Sequence, residues 1–174
     1  MKTRVGFGFD IHPLEKGRKL VLGGAEIPHT SGLAGWSDGD ALVHAIIDAL
    51  LGASGQADIG QLFPADDPRF QGIRSTRLLE EVMKRLAGKG VRIVNVDSVI
   101  VAEAPRLAPY IKKMKAALCP ILGVAEDDLA IKAKTQEKMG DIGRGEAMAC
   151  WAVALVEVGK AAKKKSPPST PAGN

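Results

Sequence analysis

A chain of 174 residues with 45% hydrophobic and 25% charged side chains fits one domain, long enough to bury a conventional core without disulfide support. Its two cysteines, Cys119 and Cys150, match neither a zinc-ribbon spacing nor a secreted disulfide framework, which favours a reducing cytoplasm and a role as small apolar fillers. The formal charge of +4 resides in the four lysines of residues 160–174, so the remainder is balanced and no nucleic-acid partner is expected.

The first predicted element is a strand, Arg4-Val-Gly-Phe-Gly-Phe-Asp-Ile-His12. Strand alternation puts Asp10 and His12 on one face of it. Lys19 to Leu22 follows, then a loop marked by Gly23-Gly24, Pro28 and Gly32. A helix comes next, capped by Ser37 or Asp38, with Leu42, Ile46, Ala49, Leu50 and Ala53 as its buried stripe. His44 lies about 200° round the helix from Leu42 and from Ile46, which sets it off that stripe and beside Asp40 and Asp48. These two carboxylates are then candidates to orient its imidazole, with solvated helix charges as the plain alternative.

A turn-rich section from Asp58 leads to a second helix, about Ser75 to Ala87, with Leu78, Leu79, Val82 and Leu86 as its apolar face and Gly88 and Gly90 as its stop. Val91 to Ala102 reads as a strand, and Pro105 and Pro109 separate it from a third helix that ends near Cys119-Pro120. Leu129 to Lys134 is a strand, residues 134–146 a loop, and Glu146 to Val158 a long strand apolar on both faces and buried on both sides. The order β-α-α-β-α-β-β, without an internal repeat, predicts one α/β domain over residues 1–159 with helices on one side of a mixed sheet. A homo-oligomer is the economical cover for the other side. Residues 160–174, basic and rich in Pro and Ser, read as a disordered tail. The best apolar run, Ala147 to Val156, is far short of the ~20 residues of a membrane span, and the start carries no apolar signal core, so no membrane partner is expected.

Asp10, His12 and His44 offer one oxygen and two nitrogen ligands. Such a set suits zinc or a similar divalent ion and leaves a fourth tetrahedral position for water or substrate, as in an enzyme. Taken singly, an Asp-x-His pair is more often a surface or hydrogen-bonded feature, Glu137 a loop acid, Trp36 a packing residue and His29 a surface residue.

The phrases Gly8-Phe-Asp-Ile-His12, Ser37-Asp-Gly-Asp-Ala-Leu-Val-His44, Asp48-Ala-Leu-Leu-Gly-Ala53, Asp58-Ile-Gly-Gln-Leu-Phe-Pro64, Ala104-Pro-Arg106, Lys132-Ala-Lys-Thr-Gln-Glu-Lys138 and Gly143-Arg-Gly-Glu-Ala-Met-Ala149 run collinearly over residues 2 to 158. Together they resemble the 2-C-methyl-D-erythritol 2,4-cyclodiphosphate synthase family. The resemblance implies a ferredoxin-like α/β subunit in a homotrimer, sheets inward, with active sites at the subunit boundaries. It also implies conversion of 4-diphosphocytidyl-2-C-methyl-D-erythritol 2-phosphate to the 2,4-cyclodiphosphate and CMP, in the non-mevalonate route to isoprenoid precursors. On the same basis Asp10, His12 and His44 correspond to zinc ligands, and Glu137 to a ligand of a second ion, magnesium or manganese. Thr135 and Trp36 stand at transition-state positions. Asp10, His12, Trp36, Ser37 and the turn Asp58, Ile59, Gly60 match contacts to phosphate and erythritol hydroxyls, with Phe63, Pro64, Ala65, Asp66 and Asp67 as the adjoining loop. Ala102, Glu103, Ala104, Pro105, Arg106, Leu107 and Ala108, together with Ala133, Lys134, Thr135 and Gln136, match the cytidine pocket of a neighbouring subunit. Asp141, Arg144 and Glu146 match positions towards the substrate end and the trimer axis.

Five positions depart from the family pattern. Trp36 replaces a usual His, Ala65 a common Asp, Lys134 and Gln136 threonines of some members, and Asp141 a frequent Phe. An indole N–H donates one hydrogen bond and never becomes cationic, so altered efficiency is the expected consequence, with every metal ligand retained. A metal-dependent phosphodiester or pyrophosphate hydrolase and a catalytically weakened trimeric CDP-binding protein are the alternative readings of the same residues.

Overall fold

The computed structural model describes residues 2–159; the expected tail at 160–174 lies outside the described residues. Strand β1 (Lys2–Lys16) is followed by three short strands, β2 (Leu20–Leu22), β3 (Ala25–Ile27) and β4 (Ser31–Leu33), and by helix α1 (Ala41–Ala53). A single helical turn, α2 (Ile59–Leu62), precedes α3 (Ser75–Ala87), β5 (Val91–Val101), α4 (Ile111–Leu122), β6 (Leu129–Lys134), a second turn, α5 (Gly140–Gly143), and β7 (Ala147–Val158). Five strands form one sheet in the order β4-β1-β7-β5-β6, antiparallel except for the parallel β5–β6 pair. This is the expected mixed sheet of an α/β domain.

The seating of α1 on the sheet follows from glycine. A Cβ on Gly6 would stand 1.9 Å from the Ala49 carbonyl oxygen, and one on Gly8 1.9 Å from that of Ala45. Only bare backbone in β1 lets the helix lie this close. Alternation then places Asp10 and His12, on the same strand face as Gly6 and Gly8, under the N-terminal half of α1. The opposite face of β1 presents Val5, Phe7, Phe9 and Ile11, which are 42% to 66% exposed in the single chain. Phe9 packs on Trp151 of β7 with ring centroids 5.0 Å apart. The reading of β7 as buried on both faces is therefore corrected within one chain: Met148, Cys150, Ala152 and Ala154 are covered, whereas Val153 on the other face is exposed.

Four further expectations change. Helix α1 is not a one-sided amphipath; it is buried almost all round, His44 included, because its small residues Ala45 and Ala49 bury against the glycines of β1. Its cap is Asp40, not Ser37 or Asp38. The third helix runs through Pro120 to Leu122 and closes on left-handed Gly123, since a proline in the last turn removes only one backbone bond. The loop expected at 134–146 contains the turn α5.

Asp40 does more than cap. One carboxylate oxygen accepts from Val43 N at 3.1 Å and Gly23 N at 2.9 Å, and the other from Gly24 N at 2.7 Å. It thereby ties α1 to the two-glycine turn between β2 and β3, where both residues have positive φ. Burial pushes its carboxyl pKa up, the Gly24 amide pulls it down, and the charge of Asp38 adds to the push. Asp40→Ala would orphan three buried donors and is expected to destabilise the protein by about 2–4 kcal/mol. Asp40→Asn, which keeps an acceptor, should cost less than half of that by urea denaturation.

Candidate metal centre

Asp10 and His12 project from β1 at the level of Cys150 and Met148 of β7, and α1 delivers His44 above them. Asp10 Oδ2 lies 2.9 Å from His12 Nε2 and 2.9 Å from His44 Nδ1, and the two imidazole nitrogens are 3.3 Å apart. A tetrahedral ion with bonds of ~2.0–2.1 Å spaces its ligand atoms about 3.3 Å from one another. The triangle fits that requirement to within a few tenths of an ångström. Among the described residues this is the one cluster of three groups able to share a metal ion.

Electrostatics inside the triangle are strong. Burial alone would raise the Asp10 carboxyl, but hydrogen bonds from His12 and His44 and their charges outweigh it and hold the pKa at about 2. Burial would lower His12, yet the hydrogen bond and charge of Asp10 and a bond to the Ala34 backbone bring it above its ordinary value. The oxygen is thus anionic throughout the physiological range, as a hard cation ligand should be.

The carboxylates expected to orient His44 do other work. Asp40 caps α1, and Asp48, raised by burial, accepts from Ile59 N at 2.8 Å. Hydroxyls take their place: His44 Nε2 is 2.8 Å from Ser75 Oγ and 3.2 Å from Ser37 Oγ. Ser75, fully buried at the start of α3, was not singled out from the sequence. It lies 31 residues from His44, and a serine opening a helix reads only as a terminus signal.

The site residues gather round two separate cavities. The first, of 210 Å³, is lined by the metal triad with Trp36, Ser37, Ile59, Gly60, Phe63, Ala65, Phe70 and Leu78. Asp58 caps α2 through Gln61 N at 2.9 Å, which lowers its pKa, and Asp67 is clasped by Arg69. Trp36 Nε1 donates to the Asp67 carbonyl at 3.0 Å and Gly72 N to the Trp36 carbonyl at 2.7 Å, so Trp36 pins the loop carrying Asp66 and Asp67 at its middle and at its end. Pro64, Asp66 and Asp67 belong to this loop without lining the cavity.

The second cavity, of 290 Å³, lies between the loop after β5 and the end of β6. Ala102, Glu103, Pro105, Arg106, Leu107, Ala108, Ala133, Lys134 and Thr135 line it, and no residue is common to both cavities. Ala104 precedes Pro105 through a cis peptide bond. Thr135 Oγ1 donates to Glu137 Oε1 at 2.6 Å, and Glu137 and Lys138 both occupy the left-handed region beyond Gln136. Glu137 therefore sits with the second cavity and outside the metal triangle of its own chain. Arg144 is engaged by Asp141 and, at 3.0 Å, by Glu146.

A family model described as the YgbB family matches residues 3–157. The chain is 54% identical over 154 residues to 2-C-methyl-D-erythritol 2,4-cyclodiphosphate synthase of Dehalococcoides mccartyi, an alignment covering 88% of this chain and 98% of that one. The synthase of Carboxydothermus hydrogenoformans is 50% identical over 157 residues, covering 90% and 96%. Among solved structures, a CDP-bound form of 2C-methyl-D-erythritol-2,4-cyclodiphosphate synthase superposes with a TM-score of 0.82 at 37% identity, over 88% of this chain and all of that one. A CDP complex from Plasmodium falciparum gives a TM-score of 0.79 at 32% identity, over 91% and 97%.

Proposed function

The chain belongs to the YgbB family, and we propose that it converts 4-diphosphocytidyl-2-C-methyl-D-erythritol 2-phosphate to 2-C-methyl-D-erythritol 2,4-cyclodiphosphate and CMP. The observation that carries this reading is the Asp10–His12–His44 triangle, set in the wall of a cavity and sized for a tetrahedral divalent ion. In the reaction an oxygen of the substrate's own 2-phosphate attacks the β-phosphorus, a new P–O–P bridge closes the ring, and the bond to the CMP oxygen breaks. Water is not consumed. The attacking phosphate is already largely ionised near neutrality, its second pKa being about 6, so no strong general base is called for.

The task of the protein is to hold two anionic groups together. Asp10, His12 and His44 would hold zinc, and Glu137 a magnesium or manganese ion, which supply charge neutralisation and alignment at the diphosphate oxygens. Binding both ends of one substrate adds the proximity effect. Ser37 and the α2 turn face the polyol and phosphate end, and Thr135 is the residue we assign to stabilising the transferring phosphate. The only N–H of the Trp36 side chain serves Asp67 in this arrangement, so Trp36 acts first as the anchor of the 63–72 loop.

A homotrimer completes the site in this reading. The metal cavity and the 102–108/133–135 cavity share no residue, and the exposed apolar face of β1 supplies a surface for packing against other copies. One subunit would contribute the metal wall and its neighbour the nucleotide wall. We place the enzyme among cytoplasmic phosphorus–oxygen lyases; no described helix is long and apolar enough to cross a membrane. Phosphorus NMR of the purified protein with substrate, zinc and magnesium should show cyclic diphosphate and CMP appearing in equal amounts. Linear phosphates carrying solvent oxygen would replace this reading with a hydrolase, and CDP binding without turnover with a binding protein.

A further inference from the structure

His44 is held from behind by Ser75 and Asp38, which do not line the metal cavity. Ser75 Oγ donates to Asp38 Oδ1, and it lies 2.8 Å from His44 Nε2. Ser75 is fully buried, and Arg74 Nε stands 3.5 Å from the other Asp38 oxygen. Donor bookkeeping on this side of the ring favours one arrangement. A carboxylate only accepts, so the single hydroxyl hydrogen of Ser75 points at Asp38 and its lone pairs face the imidazole. Ser75 therefore asks Nε2 of His44 to carry the hydrogen, which would leave Nδ1 free as a ligand. Asp10 pulls the other way: its carboxylate Oδ2, 2.9 Å from His44 Nδ1, favours a hydrogen on that atom until a metal ion takes its place, so in the metal-free ring the two sides compete. Ser37 Oγ, 3.2 Å from the same Nε2 and 3.3 Å from Ser75 Oγ, accepts from Gly39 N and can donate to Ser75, which leaves the direction of the relay unchanged.

We propose that Asp38 and Ser75 are positioning residues that favour the Nε2–H tautomer of His44 against the pull of Asp10 and thereby offer Nδ1 to the metal. The inference rests on the reading of Asp10, His12 and His44 as the metal triad. It assigns Asp38 a use that its place before α1 does not suggest, and it explains a buried serine with no packing value of its own. Removing the partner that fixes a ligating imidazole weakens metal binding by about 10- to 100-fold in comparable sites.

Two readouts on the full chain test the relay. Zinc affinity by chelator competition should fall about 10- to 100-fold in Ser75→Ala and by a smaller factor in Asp38→Asn, whose amide can still present an oxygen to Ser75. Nitrogen NMR of the His44 ring in metal-free protein, in mildly alkaline buffer, should show a larger share of the Nε2–H tautomer in the native chain than in Ser75→Ala. Unchanged zinc affinity in both variants, or an unchanged His44 tautomer, would overturn the relay. Should Ser75→Ala fail to fold, Asp38→Asn decides by the same two measurements. If the native chain takes up no zinc, the metal reading falls, while the tautomer comparison still decides whether Ser75 orients His44.

Discussion

His44→Ala is expected to abolish cyclic diphosphate formation, with turnover reduced by about a thousandfold or more. A metal acting on phosphoryl oxygens supplies several kcal/mol of transition-state stabilisation, and each 1.4 kcal/mol is about a factor of ten in rate. The substitution takes away one corner of the triangle, leaving Asp10 and His12 as two ligands at 2.9 Å on one strand. Two ligands hold zinc far less tightly than three. It also strips Ser75 of the group it faces at 2.8 Å, so some loss of stability accompanies the loss of activity. The measurement is therefore double: zinc content of the purified variant and product by phosphorus NMR, with circular dichroism as the control for folding. Native zinc content together with native turnover would remove His44 from the role assigned to it.

The parts of this site that can be read from sequence are those that obey a period. Strand alternation puts Asp10 and His12 on one face, and the structure has them 2.9 Å apart through Asp10 Oδ2 and His12 Nε2. Helix α3 begins and ends at the expected Ser75 and Ala87, because four large apolar residues mark its face and glycines follow it. What escaped depends on contacts between distant segments or on small residues. The stripe Leu42, Ile46, Ala49, Leu50 and Ala53 misses Ala45, which with Ala49 lies nearest the sheet, where the partner is a glycine. That error set His44 on a polar face with Asp40 and Asp48, whereas it is buried with serine hydroxyls as partners. Strands β3 and β4, three residues each, are too short for a period of two to declare itself. The two cavities with no common lining residue are likewise a product of the tertiary fold; the sequence resemblance alone distinguishes the walls they form.

Gly8→Ala should be among the most damaging single methyl groups that can be added to this protein. Its Cβ would lie 1.9 Å from Ala45 O and 2.6 Å from Ala49 N, both backbone atoms of α1. No rotamer change relieves a clash with backbone, so the helix must retreat from β1 by more than an ångström. Retreat opens the interface that buries Leu42, Ile46 and Leu50 and their neighbours, a cost of about 4 kcal/mol or more, at the upper end of overpacking effects. It also lifts His44 away from Asp10, since Ala45 is its next residue on the helix. The variant should unfold at markedly lower urea and, in whatever fraction folds, bind zinc more weakly than the native chain. Gly52→Ala is the internal control. Its Cβ meets nothing nearer than Phe7 O at 3.9 Å, and alanine in a helix is favoured over glycine by about 1 kcal/mol, so that variant should be as stable as the native protein or slightly more so. Equal urea midpoints for Gly8→Ala and Gly52→Ala would show that helix α1 does not lie against bare strand backbone, and the geometry that brings His44 to Asp10 and His12 would have to be rebuilt.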